Sequence, residues 1–168
     1  MTLLEATATV RRHLQTGVAV DTNLLLLFWL GSYDQDLVGG KRLRQYTLED
    51  FDLICQLVKP LSTLVVTPHV LTEVVNLTGH LSEGVAQECR AEIAGAILAS
   101  EERTSMSAQI ARRAEFPRLG LTDSALLELA SGGTLLLTDD LPLYLAACKA
   151  DYPVLYFTHL RGHLYRST

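Results

Sequence analysis

The chain has 168 residues and a formal net charge of −5, with 48% hydrophobic and 20% charged residues and a mean hydropathy of +0.20. That length suits one domain with its own core, and the balance excludes intrinsic disorder. The acidic charge excludes a strongly basic nucleic-acid binder, so any RNA contact must use local basic patches or bridging metal ions.

The spacing predicts an amphipathic helix over 3–15, broken by Gly17, and a short buried strand at Val18-Ala19-Val20. Asn23 suits the N-cap of a helix over 24–30. That run is apolar all round, which predicts full burial or a subunit interface. It is also the longest apolar run, far short of the ~20 residues that cross a bilayer. Residues 31–46 are polar and Gly-containing and read as a loop or insertion, with a basic cluster at Lys41, Arg42 and Arg44. Thr47-Leu48-Glu49-Asp50 resembles a capping box opening a helix to residue 58, and Pro60 ends it. A β-branched run at 63–66 predicts a second strand. Thr67 as cap and Pro68 at the first helical position start a helix to residue 77. Further helices are expected over 82–100, 107–114, 122–130 and 141–150. Further strands are expected over 103–106, 134–137 and 153–157. Strands that are continuous apolar runs alternate with helices, so the fold class is α/β. A three-layer α/β/α domain with four or five short parallel strands is expected, as a single domain over 1–168. Its N-terminal helix (1–16) is appended, and 31–60 is a loop and helix insertion.

The acids fall at telling places in this layout. Asp21 follows the first strand directly. Asp139 and Asp140 follow the strand at 134–137. Glu73 lies early on the helix that leaves the second strand, and Asp123 lies in the first turn of the helix at 122–130. All strands of a parallel sheet end on one rim, and ligands bind there. Clustered carboxylates raise each other's pKa unless a counter-charge is present. No Lys or Arg flanks these positions closely, so a divalent cation is the natural partner. All-oxygen ligands favour Mg²⁺ or Mn²⁺ over zinc. Helix capping is the competing account for Asp123 and Asp140.

Four stretches resemble the PIN-domain ribonucleases, the family that includes the VapC-type toxins. Val18-Ala19-Val20-Asp21-Thr22-Asn23 is similar to the family's opening strand and Asp-Thr/Ser-Asn motif. The segment from Val66-Thr67-Pro68 to Glu73 is similar to its Pro-to-Glu helix. Leu121-Thr122-Asp123-Ser124 resembles its third acidic motif, and Thr138-Asp139-Asp140 its Thr-x-Asp motif. Order and approximate spacing fit across roughly residues 17–158. The resemblance implies a PIN-like fold and a metal-dependent endoribonuclease with a water nucleophile. It implies Asp21, Glu73, Asp123 and Asp140 as catalytic metal ligands, with Asp139 supplying or sharing the fourth carboxylate. Thr22, Asn23 and Thr138 would orient carboxylates or a bound water. The toxin members imply an antitoxin partner, and family members often form homodimers. The N-terminal helix and the 31–60 region are extra length relative to a minimal toxin.

Arg112, Arg113 and Arg118, shortly before Asp123, are candidate phosphate contacts, as are Lys41, Arg42 and Arg44. His69 shares a helix face with Glu73. His159 and His163 are four apart but lack a Cys pair. Cys55, Cys89 and Cys148 are an odd number without Cys-x-x-Cys, and read as small buried hydrophobes in a reducing compartment. Phe28 and Trp29 read as core. Glu5 early and Arg11-Arg12-His13 late reverse a signal peptide's charge order, so a cytoplasmic location is expected. Dinucleotide, P-loop and serine-esterase motifs are absent from the sequence, and Asn23 stands where an Asp-nucleophile phosphatase carries its second Asp. The acidic layout predicts a divalent-cation site, and the resemblance implies an Mg²⁺- or Mn²⁺-dependent ribonuclease acting on RNA. The alternative is a non-catalytic PIN-like domain that binds RNA or a protein.

Overall fold

A computed structural model describes residues 2–61 and 63–164, with side chains described through Gly162. Five parallel strands form one sheet in the order β3-β2-β1-β4-β5. They are β1 (Val18–Val20), β2 (Val65–Val66), β3 (Glu101–Glu102), β4 (Leu135–Thr138) and β5 (Val154–Tyr156). Ala19 pairs with Val65 on one side and Leu136 on the other, and Leu137 pairs with Leu155. Every residue of β1, β2 and β4 is buried, as strands covered on both faces must be. The α/β expectation therefore holds.

The helices are α1 (Leu3–Arg12), α2 (Thr22–Tyr33), α3 (Leu48–Val58), α4 (Pro68–Thr78), α5 (Glu83–Leu98), α6 (Ser107–Ile110), α7 (Phe116–Ser131), α8 (Leu141–Lys149) and α9 (Phe157–Leu164). The chain steps outward from β1 through β2 to β3, then returns past β1 to β4 and β5. Right-handed crossovers put the helices of the outward and return paths on opposite faces. Most contacts agree: α2 packs on α3, α4 and α5 and α7 on α6 and α8, while α4 also meets α7. The result is three layers. Strand order reverses between β1 and β4, which makes their carboxyl ends the topological switch point of the sheet.

Local chemistry sets the helix starts. Thr47 and Asp50 form the predicted capping box of α3. Thr67 Oγ accepts from the Val70 N–H at 3.3 Å, with Pro68 in the first turn of α4. The start of α2 differs from expectation. Asp21, not Asn23, is its N-cap, and the helix runs on to Tyr33. Gly31 allows that extension: a Cβ there would lie 2.5 Å from Phe51 Cδ2 of α3. Leu24, Leu25, Leu26, Leu27 and Leu30 are buried inside the chain, so burial accounts for the Leu-rich run.

Three further elements differ. The edge strand is Glu101–Glu102, not 103–106. The N–H groups of Glu101 and Arg103 donate to Leu64 O and Val66 O, so pairing is complete before Thr104. Both glutamates are exposed, as suits an edge that must not recruit another strand. The helix at 107–114 is only the single turn of α6. Phe157 opens α9 instead of closing β5.

Candidate active site on the carboxyl rim

Asp21 is the centre of the rim. It is 4% exposed. Its Oδ1 accepts from the Leu24 N–H at 2.9 Å, which caps α2. Its Oδ2 accepts from the Asp139 N–H at 2.8 Å and from the Thr138 hydroxyl. Thr138 Oγ in turn accepts from the Asp140 N–H at 2.9 Å. Thus the ends of β1 and β4 are tied by side chains as well as by the ladder. Burial, then the charge of Asp139, pushes the Asp21 carboxyl up to about 8. Asp139 is pushed up as well, chiefly by burial.

Further acids come from α4, α7 and the start of α8. Gly120 breaks α7 with φ 75° and ψ −168°, a backbone region open essentially to glycine alone. The turn after this kink carries Asp123. Burial raises its pKa to about 7, and the charges of Asp140 and Glu73 push the same way. Glu73 of α4 and Asp140 at the start of α8 therefore both sit within electrostatic reach of Asp123 on α7. Asp140 Oδ1 caps α8 by accepting from the Leu143 N–H at 2.7 Å. Glu73 Oε2 accepts from the Thr22 hydroxyl at 2.9 Å, so the residue after Asp21 orients the carboxylate of α4. A cavity of about 320 Å³, lined by Pro68, His69, Thr72, Glu73, Asn76, Leu121 and Thr122, opens beside this group. The larger cavity of about 850 Å³ between α1 and α3 includes none of these acids.

Sequence reasoning missed Tyr46. It is 2% exposed and donates its hydroxyl to Asp139 Oδ2. Arg161 of α9 lies over its ring, with Cζ 5.8 Å from the centroid. The available signal was an aromatic residue and Leu43, both buried, within a stretch otherwise read as a polar loop.

The remaining candidates fall in several places. Arg113 pairs with Glu128 at 2.5 Å and Glu115 at 3.5 Å and lies near the Tyr152 ring, an engaged position. Arg118 donates to Pro142 O at 3.4 Å, beside the start of α8 and Asp140. Arg112, Lys41 and Arg44 are exposed, and Arg42 is half-buried. Asn23 is half-buried in the first turn of α2. His69 Nε2 lies 3.3 Å from Ser107 Oγ. His159 packs edge-on against Tyr144 and Tyr156, and the His163 side chain lies outside the described residues. Cys55 and Cys89 are buried as expected, but Cys148 is exposed on the outer side of α8.

The donor set suits a hard divalent cation by its chemistry. It is all oxygen, and burial first, then the charges of Asp140 and Glu73, raise the Asp123 carboxyl. Among the described residues, no three His, Cys, Asp or Glu side chains already stand in a metal-holding arrangement. Asp21 shows why in part: its two oxygens are committed to Leu24, Thr138 and Asp139.

Fold and site together define a class: a parallel α/β domain with carboxylates gathered at its switch point. No family model, curated protein or solved structure matches the chain. Among the described residues no helix is long and apolar enough to cross a membrane.

Proposed function

We propose that the protein is an Mg²⁺- or Mn²⁺-dependent endoribonuclease that hydrolyses RNA phosphodiester bonds. Three observations support it: Asp21 and Asp140 lie at the ends of adjacent strands β1 and β4, Thr22 beside Asp21 donates to Glu73, and the charges of Glu73 and Asp140 both act on Asp123. These four acids would hold the ion, which supplies charge stabilisation and a more acidic water for attack on phosphorus. The chain's own groups do the rest. Thr22 fixes Glu73, and Thr138 with the Asp139 N–H fixes Asp21. Asp123, its carboxyl raised to about 7, would be charged once such a cation were bound. Arg118, beside the start of α8, is the candidate contact for phosphates of the strand, with exposed Arg112 a second. A role as the toxin of a toxin–antitoxin pair adds a protein partner to this same activity.

The alternative is a non-catalytic domain that binds RNA or protein. One observation favours it: Asp21 already has three hydrogen-bond donors of its own. Cleavage of a mixed structured-RNA pool separates the two. Wild type should cut with Mn²⁺ or Mg²⁺ and not with EDTA, and Asp123→Asn should not cut. Tight RNA binding without cleavage in any metal would establish the binding domain instead.

A further inference from the structure

We propose that Tyr46 is a positioning residue of the acidic rim: it holds Asp139 against Asp21 and so leaves Asp140 as the carboxylate that joins Glu73 and Asp123. The inference rests on the metal-dependent reading above and names the residue that organises its site.

Three observations carry it. First, Tyr46 is locked from outside the rim. Arg161 Nη2 donates to Gln45 O at 3.0 Å and to Asp50 Oδ2 at 2.7 Å, and its guanidinium covers the Tyr46 ring. Asp50 is itself fixed by the α3 capping box, where the Thr47 N–H donates to its Oδ2 at 2.9 Å. The ring therefore has one place to be. Second, its hydroxyl is spent on the carboxylate of Asp139, not on a backbone carbonyl. A buried tyrosine hydroxyl needs an acceptor, and the choice of a rim acid couples this segment to the site. Third, the hold is passed on, because the Asp139 N–H donates to Asp21 Oδ2 at 2.8 Å. Asp140, one residue later, is turned into the N-cap of α8, and its charge is among the causes acting on Asp123. Adjacent aspartates thus take different roles. The segment between α2 and α3 acquires a function: it delivers Tyr46, and α9 secures it.

The test uses the full chain carrying Tyr46→Phe, which keeps the ring under Arg161 and removes only the hydroxyl. Without metal, hydrogen exchange at the Asp139 amide should quicken by about tenfold or more. The Asp139 carboxyl ¹³C resonance should move, and those of Asp123 and Glu73 should not. With metal, Mn²⁺ affinity should fall by about tenfold, the low end for outer support of a ligand, because Asp139 no longer holds Asp21 in place. Arg161→Gln, which loosens the ring but spares the hydroxyl, should shift both readouts the same way by less, and it serves if Tyr46→Phe does not fold. An Asp139 amide and a Mn²⁺ affinity unchanged from a wild type that binds Mn²⁺ would overturn the proposal alone. So would a changed amide with unchanged affinity. A wild type that binds no Mn²⁺ would overturn the metal-dependent reading and the proposal with it.

Discussion

The backbone N–H of Asp139 donates to Oδ2 of Asp21 across 2.8 Å, joining residues 118 apart in sequence at the ends of adjacent strands. The Thr138 hydroxyl reaches the same oxygen. One carboxylate therefore caps α2, closes the β1–β4 seam and sits at the centre of the acidic rim. A side chain with that many duties is a poor choice for a clean functional knockout. Asp21→Asn would place an amide N–H₂ or lose an acceptor where two donors already point. Among the described residues Asp123 makes no such structural bond, and it is the better probe.

Thr138 is the residue to test for the seam itself. Its hydroxyl donates to Asp21 and accepts the Asp140 N–H at 2.9 Å. Thr138→Val keeps the shape and loses both bonds, leaving a buried donor and a buried acceptor short of a partner. The expected cost is about 1–3 kcal/mol, read as a lower urea midpoint with an unchanged slope. A midpoint equal to wild type would show that the seam does not depend on this hydroxyl.

The raised acids make stability depend on pH in a defined direction. Asp21 and Asp123 rise from a reference of 3.8 to about 8 and about 7. The unfolded chain ionises these groups first as pH rises, while the folded chain still holds their protons. Their contribution to stability is whole below about pH 4 and is lost as pH climbs through the folded values. The melting temperature of metal-free protein should fall between about pH 5 and about pH 8, and Asp123→Asn should flatten the fall. Thermal melts across that range, in EDTA, measure it. A slope that Asp123→Asn leaves unchanged would contradict the placement of Asp123.

Much of the frame was legible in the sequence because parallel strands buried on both faces must be apolar runs. Val18-Ala19-Val20 and Leu135-Leu136-Leu137 could be little else. The capping box at Thr47 and the Thr67-Pro68 start were legible because caps are local chemistry. Glu101-Glu102 was not legible, since an edge strand of two exposed acids carries no apolar signal and exists only because β2 offers it a partner. The cap at Asp21 was missed because Asn23 is equally suited by type. Only the tertiary approach of Thr138 and Asp139 fixes the chain so that Asp21 takes the role. Tyr46 was hidden for the same reason: its partners, Asp139 and Arg161, lie 93 and 115 residues away. For the candidate site, the acids and their order were visible, but the bonds that tie Asp139 to Tyr46 and Asp21 while Asp140 caps α8 were not.

Gly120 links backbone strain to the site. Its φ of 75° and ψ of −168° are reserved for glycine, and a Cβ would meet nothing within 4 Å. Gly120→Ala therefore acts through the backbone alone, at a cost of about 1–3 kcal/mol. If the turn relaxes toward continuous helix, Asp123 swings away from Glu73 and Asp140. The substitution should lower both the melting temperature and Mn²⁺ affinity, measured by thermal melts and calorimetry on the same sample. Normal Mn²⁺ affinity would show that the kink does not set the position of Asp123.

The most direct measurement is a calorimetric titration of Mn²⁺ into wild type and Asp123→Asn near pH 7, repeated in buffers of different ionisation enthalpy. The account predicts saturable binding by wild type with release of protons, because burial raises the Asp123 carboxyl to about 7 and a bound cation would favour its charged form. It predicts much weaker binding by Asp123→Asn, in a protein at least as resistant to heat as wild type in EDTA. No binding heat from wild type, or equal binding by the two proteins, would contradict it.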